Sequence, residues 1–136
     1  MLGVKSYEQS YVDECRSNVE SLLRSYEAVA STSKSAAVKD FEPKFFNDMV
    51  LALDHFFMHR LRGQEKKDGN PLNEVRVLSA SLMEHGGIMT ADGTINLKAE
   101  ESVTGIDYGE QILLDENTFT KLAEAFLAEI EEKFPA

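Results

Sequence analysis

Tryptophan is absent, cysteine occurs once, and no apolar run is long. Each scarcity closes off a class of protein. Cys15 has no second cysteine to pair with, so no internal disulfide staples the chain. A bilayer-spanning helix needs about 20 consecutive apolar residues, and no stretch here comes near that. The opening Met1-Leu-Gly-Val-Lys5-Ser6 has no apolar h-region, which points away from a secretory signal. A single thiol and no membrane segment together indicate a cytoplasmic protein. Cys15 falls on an apolar helical stripe, where a thiol serves as core filler rather than nucleophile.

Positive charge is scarce as well. Fourteen Lys and Arg face 24 Asp and Glu, for a net charge of −10. Binding a polyanion needs a basic stripe, so nucleic acid and anionic membrane surfaces are excluded as partners. Residues 99–136 carry ten acids against Lys121 and Lys133, a net of −8. The balance reverses only over residues 59–76, where five bases meet Glu65, Asp68 and Glu74, a net of +2.

What remains suffices for a core. The 136 residues are 43% hydrophobic and include eight Phe, which fits a single domain spanning 1–136. Helical spacing recurs four times. Val12, Cys15, Val19, Leu22, Leu23, Tyr26 and Val29 predict a first helix from Ser6 to about Ala30, with Ser6 and Gln9 as a capping box. A second helix is expected from the Asp40 cap to about Arg62, with Pro43 in its first turn. Its main stripe is Phe46, Met49, Val50, Leu53 and Phe57; Phe45, Leu51, Ala52, Phe56, Met58 and Leu61 widen it, as in a central helix, and Leu51 and Met58 give a second apolar side that would suit a dimer interface. Asn70 followed by Pro71 is a strong start for a third helix, which Gly86-Gly87 ends. Phe119, Leu122, Ala123, Phe126, Ile130 and Phe134 define a last helix opened by Asp115 or Asn117. Between the last two, Asp92-Gly93 signals a turn. The fold expected is therefore mainly α: a four-helix bundle-like domain with a small β-hairpin or irregular insertion at about 88–114.

Two constellations could carry chemistry. On a continuous second helix, Asp48, His55, His59 and Arg62 share an arc of about 60°. His55 and His59 have the four-residue spacing by which two imidazoles hold a divalent metal such as zinc or nickel. His85, at the end of the third helix, would supply a third ligand if the helices bring it alongside. Two exposed histidines on a polar face are otherwise unremarkable, and His85 near a helix C-terminus suits the dipole there. The second constellation is the basic turn. Arg62, Lys66, Lys67 and Arg76, with the amides that open the third helix at Asn70, could hold a small anion. The same residues also make an ordinary capped turn.

Arg60 falls inside the apolar stripe and so demands a carboxylate. In an antiparallel hairpin of the second and third helices, Glu74 would meet Arg60 and Asp54 would meet Arg76. No nucleophile elbow, phosphate loop or calcium loop is present. The function expected is binding, through self-association as in a homodimer or through a protein partner, with no cofactor. The alternative is a metal- or anion-dependent helical-bundle enzyme or small-ligand-binding protein built on His55, His59 and the 60–76 turn.

Overall fold

The computed structural model describes residues 3–33 and 35–136. It is mainly helical. Five α-helices are described: α1 (Gln9–Thr32), α2 (Ala36–Phe56), α3 (Arg62–Glu65), α4 (Pro71–Glu84) and α5 (Glu116–Lys133). A single 3-10 turn, Ala99–Glu101, lies between α4 and α5. Among the described residues no helix is long and apolar enough to cross a membrane.

α1 begins three residues after the Ser6 expected to cap it. The Tyr7 N–H donates to the Phe134 carbonyl at 2.8 Å, and Tyr7 forms an isolated bridge with Pro135. The chain is therefore extended there, and Glu8 takes the cap position without a side-chain bond. Gln9, expected to reach back, instead donates to Asp13 and Glu131. Val12, Cys15, Val19 and Tyr26 form the buried stripe; Val29 stays outside it.

α2 starts earlier and ends earlier than its sequence pattern suggested. Ser35, not Asp40, is the cap, and its hydroxyl accepts from the Val38 N–H. Pro43 consequently sits inside the helix, where it removes one backbone bond near an exposed end. At the other end the helix stops at Phe56, six residues short of Arg62. The cause lies at the N-terminus. Val4 donates to the His59 carbonyl at 2.7 Å and accepts from the Leu61 N–H at 2.8 Å. Those groups would otherwise continue the helix.

α4 follows the pattern closely. The Asn70 side chain accepts from the Leu72 and Asn73 N–H groups, Pro71 takes the first position, and Gly86 and Gly87 adopt positive φ beyond the end. α5 opens on Asp115, whose carboxylate accepts from the Thr118 N–H at 2.8 Å. Leu114 and Phe119, the positions of a hydrophobic staple, are both buried.

The segment between α4 and α5 contains no hairpin. The Asp92 turn exists, its carboxylate accepting from the Thr94 N–H and hydroxyl. The chain on either side finds other partners, however. Met89 pairs with Gly109 and Glu110, whereas the Asn96 N–H donates to the Lys67 carbonyl. Cross-pairing to distant backbone replaces the local ladder, and residues 88–114 are an irregular insertion.

α2 and α5 each pack against the other and against α1 and α4. α2 and α4 run antiparallel: the Asp40–Asn47 end of α2 lies beside Leu82–Gly87, and Arg60 reaches the Leu72 carbonyl. One apolar core fills the space between, with Phe46, Phe57, Phe119, Phe126 and Phe134 its largest fully buried side chains.

Two backbone positions in the turn before α4 have opposite expected responses to substitution. Gly69 has φ +91°, and a Cβ there would stand 2.4 Å from the Asn96 carbonyl oxygen. Gly69→Ala should destabilise by about 2 kcal/mol or more, from the left-handed conformation and the clash with backbone. Lys66 has φ 72° and ψ −175°, a region that belongs almost to glycine alone. Lys66→Gly should stabilise by about 1 kcal/mol, strain relief exceeding the added chain entropy. Chemical denaturation of both variants checks the pair.

Candidate functional site

The basic turn is built around one buried carboxylate. α3 is a single turn, and it carries Glu65 into the interior. Glu65 Oε1 accepts from Arg60 Nε at 2.7 Å and from Arg76 Nη2 at 2.7 Å. Its Oε2 accepts from Arg76 Nε at 3.1 Å and Asn73 Nδ2 at 2.8 Å. The Arg60 side chain is fully buried; it also donates to Asp54 Oδ1, to the Phe57 and Leu72 carbonyls, and lies over the Phe126 ring. Among the described residues no side-chain polar atom of this group is buried without a partner, as a buried ion pair requires. Burial pushes the Glu65 carboxyl up. The Arg76 hydrogen bonds, the charges of Arg60 and Arg76 and the Asn73 amide outweigh it and hold the group below its usual value.

Glu74 is not the partner of Arg60. It points the other way and binds the insertion, accepting from the Val103 and Thr104 N–H groups and the Thr104 hydroxyl. Arg76 spends its guanidinium on Glu65, with Asp54 contributing only through its charge. The early end of α2 explains both differences. A straight helix to residue 62 would have set Arg60 opposite 73 or 74; the bend at 57–61 swings it towards α3 instead.

The turn also ties distant parts of the chain together. Gln64 Nε2 donates to the carbonyls of Lys5 and Lys133, and Lys133 Nζ donates to the Glu65 carbonyl. Asn70 Nδ2 donates to that carbonyl as well. The segment that stood out in the sequence is thus a clasp holding the extended N-terminal segment, α3, α4 and the end of α5.

This use of the turn competes with anion binding. The Leu72 and Asn73 amides, which would face a ligand at the start of α4, are occupied by the Asn70 side chain. Arg76 is held by Glu65. Arg62, Lys66 and Lys67 are exposed, and the charges of Arg62 and Lys67 fall on Asp92, whose carboxyl is held low mainly by its hydrogen bonds to Thr94. The metal arrangement fares similarly. His55 lies in the last turn of α2, His59 in the turn beyond it, and His85 caps α4. The helical register that gave His55 and His59 their spacing stops between them. Among the described residues no three His, Cys, Asp or Glu side chains come together as a metal site. Burial pushes the Cys15 thiol up to about 11, so it stays protonated at neutral pH.

A different surface has the shape of a binding site. Between α2 and α4 an open groove of about 680 Å³ is lined by Pro43, Asn47, Leu51, Leu82, Met83 and the 111–113 segment. The Asn47 side chain fixes its floor, donating to the Ile112 carbonyl and accepting from the Leu114 N–H. A second recess of about 280 Å³ adjoins it through Leu51 and Met83 and reaches Asp54, His55 and Met58. Met83 is 71% exposed, Leu113 60% and Met58 45%. Ser79, whose buried hydroxyl has no partner, also lines the second recess. Sequence reasoning noticed Leu51 and Met58 as a second apolar side of the helix. It missed Met83 and Leu113, because neither belongs to a periodic surplus: one ends a helix and one lies in the insertion.

Comparison with protein-family models, with curated proteins and with solved structures found no match.

Proposed function

We propose that this protein works by non-covalent binding of another polypeptide, docked on the α2–α4 face, and carries out no reaction of its own. One observation supports this above others. Met83, Leu113 and Met58 stand out from the surface around two adjoining recesses, whereas Arg60, Glu65 and Arg76 of the basic turn are bound to one another. Large apolar side chains grouped at a groove mark an interaction surface. Methionine suits that role, since its unbranched thioether adapts to the partner's shape.

Site-specific photocrosslinking in cells tests the proposal. A photoreactive residue at position 83 should yield one discrete crosslinked product, either a doublet of this chain or a complex with another protein. The same residue at exposed position 124 on α5 should not. No product from 83, or the same product from both positions, would reject the docking face.

A further inference from the structure

The groove also has a direction, a length and a charge, and these narrow the class of partner. We infer that its occupant is an amphipathic helix with a basic polar face, contributed by a different protein. The inference rests on the docking face proposed above.

The shape favours a helix. The two recesses share Leu51 and Met83, so the groove is continuous along α2 from Asp40 to Met58. Its helical part, Asp40 to Phe56, is about 24 Å long at 1.5 Å per residue, which matches some four turns of a partner helix. Among the described residues there is no sheet edge that an extended peptide could join, only isolated bridges. A helix satisfies its own backbone and asks the groove only for apolar contact. Met83, Leu113 and Met58 offer that contact at separated points, as a helix presenting one apolar face requires.

The charge sets the rest of the partner's chemistry. Asp40, Asp48 and Asp54 line the groove, against Lys44 and the His55 imidazole. Lys44 is already paired with Asp40 at 3.1 Å, and Asp54 with Arg60. Asp48 is exposed, and no ion pair to it is described. It is free to meet a lysine or arginine flanking the partner's apolar face. A second copy of this chain fits poorly. A two-fold interface would bring together two chains each at −10, whereas a basic partner meets the free Asp48 with opposite charge.

The test uses a fluorescently labelled 18-residue peptide of leucine and lysine arranged as an amphipathic helix. Two comparators accompany it: the same composition scrambled to abolish the apolar face, and a leucine–glutamate helix. Anisotropy at 150 mM NaCl should give a micromolar Kd for the leucine–lysine helix and at least ten-fold weaker binding for both comparators. The double variant Met83→Ser, Leu113→Ser should weaken binding at least ten-fold, and Asp48→Asn about three-fold. Glu124→Gln, which removes an equal charge from the exposed side of α5, should change nothing. All these positions are exposed, so unchanged melting curves verify the fold. Equal binding of the scrambled peptide, equal binding of the acidic helix, or wild-type affinity in the double variant would overturn the inference. A failed peptide with a discrete crosslink from position 83 overturns the helix and keeps the docking face; failure of both removes the two together.

Discussion

Glu65→Ala is expected to lower the free energy of unfolding by about 3–5 kcal/mol, since it strips one partner from a buried charge network. For a chain of this size the Tm should fall by roughly 10–20 °C. Two guanidiniums depend on that carboxylate. Arg76 is partly exposed and can turn towards water, but the Arg60 side chain has no route out. Asp54 and two backbone carbonyls would remain to it, too few to replace the lost charge. Glu65→Gln keeps the shape and should cost less. It also provides a pH test. Because the folded carboxyl titrates below its ordinary value of 4.5, its stabilising effect is complete above that pH and disappears as pH falls through the lower folded value. Wild type should therefore lose more stability than Glu65→Gln between pH 6 and pH 3, and the two should converge. Asp68, Asp92 and Asp115, also held low by local hydrogen bonds, act in the same direction in both proteins and cancel. Glu116 cancels too, although burial and nearby acids raise it. A melting temperature for Glu65→Ala within 3 °C of wild type would reject the clasp.

Phe126→Ala should destabilise by about 3–5 kcal/mol, as large-to-small changes of buried aromatics do. The ring is fully buried on α5, 5.7 Å from the Phe57 ring and 5.3 Å from the Arg60 guanidinium. Its loss would open a cavity between the two central helices. It would also remove the π face that offsets part of the cost of burying Arg60. Coupling to the clasp follows from that contact. In a double-mutant cycle, Phe126→Ala and Glu65→Ala should not add, whereas Phe126→Ala and a change at exposed Glu124 should. Urea denaturation of the six proteins that make up the two cycles measures both. Additivity within about 0.5 kcal/mol for the first pair would show that the ring and the network act separately.

Much of the helical content was legible because it depends on local signals. Asn70-Pro71 and Gly86-Gly87 bracket α4, and Asp115 opens α5, with caps made by the residue itself. The buried stripe of α5 followed from periodicity. What failed were boundaries set by distant chain. Ser6 is not a cap because Tyr7 is bound to Phe134; α2 does not reach Arg62 because Val4 takes the backbone of His59 and Leu61. No window of sequence contains those partners. The need of Arg60 for a carboxylate was readable from its place among apolar residues. The identity of the acid was not, since it hinged on where α2 stops. The Asp92-Gly93 signal was genuine as a turn, yet a turn specifies a hairpin only if its flanks pair with each other.

The clasp also has a temporal side. Residues 4–7 find their backbone partners at 59–61 and at 134–135, almost the full length of the chain away. During synthesis the early helices can form and collapse, but this seam stays open until Pro135 has cleared the ribosome. Nascent chains stalled short of that point are left with α3 ungripped at one side and the Tyr7 backbone unpaired, an open form of the kind that chaperones exist to guard.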